Sequence, residues 1–177
     1  PRLSKGLVHA AKCDGRQTLS NLLAYAEQGL PILFLEPSCA SAIGDDLPDL
    51  IDDDNLGKVV KKQVKMLDTF LAEQLAAGTL NATLSATAEE VLVHSHCHQK
   101  ALFATRGMMD VFASIEGLKV SEVDAGCCGM AGAFGYEHYE LSLKIAEQRL
   151  LPAVRAAQER GAAICANGFS CRHQVHD

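Results

Sequence analysis

Asp124-Ala125-Gly126-Cys127-Cys128-Gly129-Met130-Ala131-Gly132-Ala133-Phe134-Gly135 sets two adjacent cysteines in a loop flanked by glycines. Neighbouring residues of a strand or helix point their side chains in divergent directions. Two thiols that face one object therefore need irregular backbone, which glycine supplies by tolerating positive φ. A single zinc ion gains little from adjacent ligands, because structural zinc sites space them by about two to four residues. A cluster of several irons is different, since neighbouring thiolates reach different metals. The pair reads first as part of an iron–sulfur site. The bland alternative is a buried, inert pair of small hydrophobes in a tight turn.

Working outward, Leu118 to Val123 reads as a strand that leads straight into this loop. A helix resumes near Tyr136 and continues to Gln158, with Pro152 as a break or restart. Gly161 stops it, Ala162 to Ala166 is a further strand, and Asn167-Gly168-Phe169-Ser170-Cys171 is its terminal loop. Upstream, Val91-Leu92-Val93-His94 is a strand, Ser95-His96-Cys97-His98-Gln99-Lys100 follows, and a helix runs to about Ala113. Strand, cysteine loop and helix recur, which is the sequence form of parallel βα units in an α/β fold. In open parallel sheets ligands gather outside the strands' carboxyl ends. Cys97, Cys127, Cys128 and Cys171 would converge there, enough for a four-iron cluster or a tetrahedral zinc. Cys165, inside a strand, reads as core, and Cys13, in a helix, as structural.

The N-terminal half repeats part of this plan. Leu7 to Gln28 has the apolar spacing of an amphipathic helix, interrupted at Gly15 and stopped at Gly29. Pro31 to Leu35 is an apolar run of the kind buried parallel strands show. Glu36-Pro37-Ser38-Cys39 ends it. Asp45 to Asn55, with many acids and Pro48, reads as a solvated linker and lacks the ligand spacing of a calcium loop. Val59 to Ala77 reads as one helix, with Val60, Val64, Leu67, Leu71 and Leu75 on one face and lysines opposite. Gly78 to Ala88 is polar and turn-rich. Sliding Gly29–Cys39 over Gly161–Cys171 pairs Gly with Gly, Ile32 with Ile164 and Ser38-Cys39 with Ser170-Cys171. The expected organisation is two related units, the first truncated. Residues 1–56 end the first, 57–88 are connecting helix and linker, and 89–177 are the second. Cys39 would then be a further ligand candidate on the truncated unit. The expectation that a first cysteine pair precedes Pro1 is tested by the upstream sequence, where absence of a Cys-Cys-Gly-like loop would sink it.

Composition narrows the function classes. The 177 residues are nearly half apolar, so a real core can form. A formal net charge of -6 argues against a nucleic-acid partner. No signal peptide or membrane-length apolar run is visible. Seven cysteines, an odd number, fit a disulfide framework poorly and point to reduced, cytoplasmic thiols.

The arrangement resembles the cysteine-rich CCG domain family. That family includes the B subunit of heterodisulfide reductase, the iron–sulfur subunit of glycolate oxidase and the C subunit of anaerobic glycerol-3-phosphate dehydrogenase. Its pattern is a lone Cys, then Cys-Cys-Gly, then a closing Cys-x-x-Cys. Cys97 matches the first, Cys127-Cys128-Gly129 the second, and Cys171 the last Cys of the third. Gly168 stands where the closing motif has its first Cys, and Glu36 is its counterpart in the first repeat. A five-cysteine, non-cubane cluster is therefore not assumed. The three cysteine segments are similar to a variant at the C-terminus of large FAD-linked dehydrogenases acting on D-2-hydroxy acids. The resemblance implies an iron–sulfur cluster, of the 4Fe-4S type, passing electrons from FAD on another domain or subunit. The implied partners are a flavin-containing dehydrogenase domain or subunit and a ferredoxin-type domain, with any membrane association running through them.

Two alternatives stay open. The same cysteines can hold zinc in a structural or docking module. His94 and His96, with His98 alternating along extended backbone, can also start a zinc hydrolase site, for which Asp124, His138 and His173 are the further donors. Around a cluster, His96 and His98 would hydrogen-bond sulfur or an acceptor, or else cap the helix. Gly129 would shape the loop, and Lys100 and Arg172 would offset cluster charge or simply be solvated.

Overall fold

Val91 and Val93 point to one side of their strand and Leu92 to the other, as the period of two requires. Each side has its own core. Val91 and Val93 pack with Met108, while Leu92 packs with Val123, Leu150, Val154 and Ala157. In the computed structural model, which describes residues 2–176, this strand is the centre of a parallel sheet. Pro1 and Asp177, the outer ends of the two expected units, lie outside the described residues. Two compact units are present, one up to Leu67 and the other from Asp68.

The first unit holds helix α1 (Val8–Ala26), strand β1 (Ile32–Phe34) and the short helix α2 (Pro37–Ser41). Helices α3 (Leu47–Leu50) and α4 (Asp54–Lys61) and strand β2 (Val64–Met66) complete it. Strands β1 and β2 pair in parallel, Leu33 opposite Lys65. The second unit follows helix α5 (Leu67–Ala76) with strand β3 (Glu90–His94), helices α6 (Cys97–Leu102) and α7 (Arg106–Ala113), and strand β4 (Lys119–Glu122). Helices α8 (Phe134–Glu137), α9 (Tyr139–Ala146) and α10 (Leu150–Glu159), strand β5 (Ala163–Ala166) and helix α11 (Phe169–His176) end it. The order β4-β3-β5 is parallel throughout. The chain is α/β, with two parallel-sheet βα units. No helix among the described residues is long and apolar enough to cross a membrane.

In the second unit the helix break expected at Pro152 comes before it, at 147–149, and Pro152 lies inside α10; four further expectations, in or beside the first unit, are corrected. Helix α1 runs unbroken through Gly15, which is buried because the Leu47 side chain occupies the space beside its Cα. The acidic stretch after Gly44 is no solvated linker. It coils into helix and puts Ile51 and Leu56 into a core with Leu19 and Val60, while Asp53 caps α4 by accepting the Leu56 N–H at 3.1 Å. The single helix expected from Val59 to Ala77 is broken by β2. The Gln63 N–H bonds back to Val60 at 3.0 Å, the Gln63 carbonyl accepts from Ile32 at 2.7 Å, and Val64-Lys65-Met66 continues as strand. Lastly, β1 is not wholly buried, since Leu33 is 40% exposed and the following Leu35 is 75% exposed.

Candidate metal centre

His94 is the last residue of β3, and Ser95-His96 turn the chain into α6, whose first residue is Cys97. Val123 closes β4 by donating to the Val93 carbonyl at 2.8 Å, and the Cys127-Cys128 loop begins just beyond. Asn167-Gly168 leave β5 for α11, with Cys171 in its first turn. Three adjacent strands thus deliver their cysteines to one sheet edge, the ligand-binding edge of parallel sheets.

The thiols form a row of neighbours: Cys97 beside Cys127, Cys127 beside Cys128, and Cys128 beside Cys171. Their proton affinities alternate along it. Cys127 is pulled far down, first by contact with Cys128 and then Cys97, aided by the Gly129 amide, which donates to its sulfur at 3.3 Å. Cys171 is drawn down to about 5 by Cys128, against the effect of burial, with His94 assisting. Cys97 and Cys128 are pushed up, each first by the thiolate character of Cys127. Packed thiols cannot all ionise without a cation among them, and a metal supplies it while releasing their protons.

A histidine joins the row. One ring nitrogen of His94 and the sulfurs of Cys128 and Cys171 lie within 4.8 Å of one another, all three residues buried. His94 is 1% exposed, and neither ring nitrogen makes a hydrogen bond of ordinary geometry. Leaving a buried imidazole so costs about 1–3 kcal/mol. A metal beside Cys128 and Cys171 would satisfy it, so the donor set fits a thiolate-bound metal or cluster on the structure's own terms.

Buried polar contacts hold the three segments. Asn167 accepts the His96 backbone N–H at 2.9 Å and donates through its amide to Gln99. Gln99, fully buried, donates to Asp68 at 2.6 Å and to the Ala104 carbonyl at 3.2 Å. The cysteine-pair loop is pinned at Gly129, where φ is +92° and a Cβ would run into the Ser142 carbonyl. Ser142 in turn donates to Gln174 at 3.0 Å, both buried. Only glycine meets both demands at position 129.

The other candidates fall into place around this row. His96 accepts the His98 N–H on Nδ1 at 3.1 Å, capping α6, and its ring meets that of exposed His98 edge-on. Lys100 reaches back to the Ala125 carbonyl at 2.7 Å, so it tethers the cysteine loop besides carrying charge. Arg172 lies over Phe169 at 5.9 Å and donates to the Ala166 carbonyl at 3.4 Å. Cys165 is half-buried, its thiol pushed up by burial. Cys39 and Cys13 are exposed residues of the first unit; the group of metal-ligating atoms within 4.8 Å of one another among the described residues is His94, Cys128 and Cys171, with Cys97 and Cys127 adjoining it rather than within it. Of the hydrolase donors, Asp124 is bound to Arg149 and His173 meets the Tyr136 hydroxyl at 3.0 Å. His94 sits with sulfur instead.

Sequence reasoning made His94 a donor of the alternative zinc hydrolase site and not a neighbour of the cysteines. Its position as the last residue of a strand between two cysteine-bearing neighbours was the available signal. It also left Gly168 unexplained. A Cβ at 168 would collide with the His96 ring and approach the Cys171 sulfur to 3.2 Å, so His96 occupies the space that a side chain at 168 would need.

Comparison with known proteins adds the wider setting. The C subunit of anaerobic glycerol-3-phosphate dehydrogenase from Escherichia coli K12 is 25% identical over 182 residues, covering 99% of this chain and 43% of that protein. D-2-hydroxyglutarate dehydrogenase of Pseudomonas putida is 30% identical over 160 residues, 88% of this chain and 14% of that protein. The Escherichia coli K12 D-2-hydroxyglutarate dehydrogenase is 29% identical over 182 residues, 97% of this chain and 16% of that protein. The chain therefore spans less than half the length of these relatives. No family model and no solved structure matches the chain significantly.

Proposed function

We infer that the Cys-Cys-Gly resemblance extends to function, because the relatives are the C subunit of one dehydrogenase and D-2-hydroxyglutarate dehydrogenases. We propose that this chain is an iron–sulfur electron-transfer domain of a flavin-linked dehydrogenase, cytoplasmic, and serving a 2-hydroxy acid substrate. The observation that carries this reading is the convergence of four cysteines at the carboxyl ends of three adjacent parallel strands, with Cys128 and Cys171 buried beside His94. Cys97, Cys127, Cys128 and Cys171 would hold the cluster. When bound, a 4Fe-4S cluster accepts and releases single electrons. The chain's own residues set its surroundings. Gly129 directs an amide at Cys127, Lys100 fixes the loop that presents both cysteines, and the Gln99–Asn167 chain holds the His96 turn. Cys128 and Cys171 are 3% and 1% exposed, while Cys97 and Cys127 are half-buried, so a partner's electron would arrive at their end of the row. FAD and a ferredoxin-type domain would belong to partner domains or subunits.

Anaerobically purified protein should show broad visible absorbance that dithionite bleaches and a mediator restores. Colourless protein carrying zinc would favour a second reading, a structural or docking module, for which the buried nitrogen–sulfur triad of His94, Cys128 and Cys171 also suits zinc.

A further inference from the structure

The buried histidine at the end of β3 has a role that the four-cysteine site leaves open. We propose that His94 is itself a metal ligand, a neutral nitrogen donor beside the sulfurs of Cys128 and Cys171. The inference rests on the reading of this edge as a metal centre.

Three observations carry it. His94 is 1% exposed, and among the described residues neither of its ring nitrogens makes a hydrogen bond of ordinary geometry, its one polar neighbour of note being the Cys171 sulfur. A histidine placed only for packing would be expected to satisfy at least one nitrogen, since an orphaned polar atom in the interior is costly. The ring also lies against sulfur, within 4.8 Å of the two buried cysteines. Finally, the other nearby imidazole is less available. His96 has Nδ1 committed to the His98 N–H, and its carbon edge fills the space over Gly168. His94 thus offers a nitrogen donor beside Cys171, while Gly168 contributes none.

The chemical consequence is a sign. A neutral imidazole in place of an anionic ligand lowers the negative charge around iron and raises its potential, as it does where histidines replace cysteines in two-iron centres. His94→Cys should therefore hold iron and lower the midpoint potential, while His94→Gln should lose the nitrogen ligand.

The test is pulsed EPR on reduced, anaerobically purified protein with 15N-labelled histidine, run beside His94→Gln, His94→Cys and His96→Gln. The expected result is a strongly coupled histidine nitrogen in the native protein and in His96→Gln, absent from both His94 variants, with a lower potential in His94→Cys. The native spectrum needs no variant to fold, and a cluster without directly coupled nitrogen overturns the proposal. If the protein holds no iron or sulfide, the cluster reading fails separately, and cobalt(II) substitution decides the ligand. A ligand-field spectrum changed by His94→Gln upholds the imidazole, and an unchanged one removes it.

Discussion

Two regions of the molecule share a plan and differ in outcome. In each, a helix ends at a left-handed glycine, Gly29 at φ +72° or Gly161 at +75°. A short parallel strand follows, then a helix whose third residue is cysteine: Pro37-Ser38-Cys39 or Phe169-Ser170-Cys171. Cys171 is 1% exposed among sulfurs and an imidazole, whereas Cys39 is exposed. The difference lies in the neighbouring strands. Strand β5 sits beside β3, and β3 beside β4, and both neighbours end in cysteine loops. Strand β1 pairs with β2, which passes from Met66 straight into α5 with no cysteine at its end. The repeated unit thus supplies one cysteine position, and in the second unit adjacent strands bring further cysteines beside it.

The largest expected effect breaks this comparison outright. Cys128→Ser should abolish iron binding and leave the first unit's helical signal intact, while Cys39→Ser should leave iron content unchanged. Iron and sulfide assays with circular dichroism check both, and equal losses from the two variants would show that the units share one site. A second test concerns backbone. Gly129→Ala meets both positive φ and the Ser142 carbonyl, so it should cost about 3 kcal/mol or more in urea unfolding. Gly29→Ala and Gly161→Ala meet open space and should each cost only about 1 kcal/mol, as equivalent positions should. A third variant, Gln99→Leu, removes the buried bonds that Gln99 makes with Asp68 and Asn167 and should cost about 1–3 kcal/mol. The exposed Lys12–Asp52 pair of the first unit gives the contrast, since Asp52→Asn should leave the urea midpoint where it is. The smallest effect is chemical. In metal-free protein Cys127, held as thiolate, should alkylate at pH 6 well before Cys128, whose proton is held on, as peptide mapping would read.

The second unit was largely legible because a cysteine follows each strand's carboxyl end, and Gly117 and Gly161 mark the turns into two of its three strands. The repeat's glycine, strand and Ser-Cys register was readable for the same reason. Strand β2 was not, because Val60, Val64, Leu67 and Leu71 keep a helical spacing through it, and only pairing with β1 selects strand. The acidic stretch after Gly44 misled because charge on one face concealed Ile51 and Leu56 on the other. Within the site, the cysteines announce themselves by type. His94 does not, since its role depends on which sulfurs the fold sets beside it, and the Gly168–His96 fit joins residues far apart in the chain.

The central claim is that the sulfur row of the second unit holds an iron–sulfur cluster. Iron and acid-labile sulfide measured on anaerobically purified protein, beside Cys127→Ser and Cys128→Ser, test it most directly. The account predicts iron with matching sulfide in the native protein and loss of both in either variant. Zinc without sulfide, or iron retained in full by the serine variants, would contradict it.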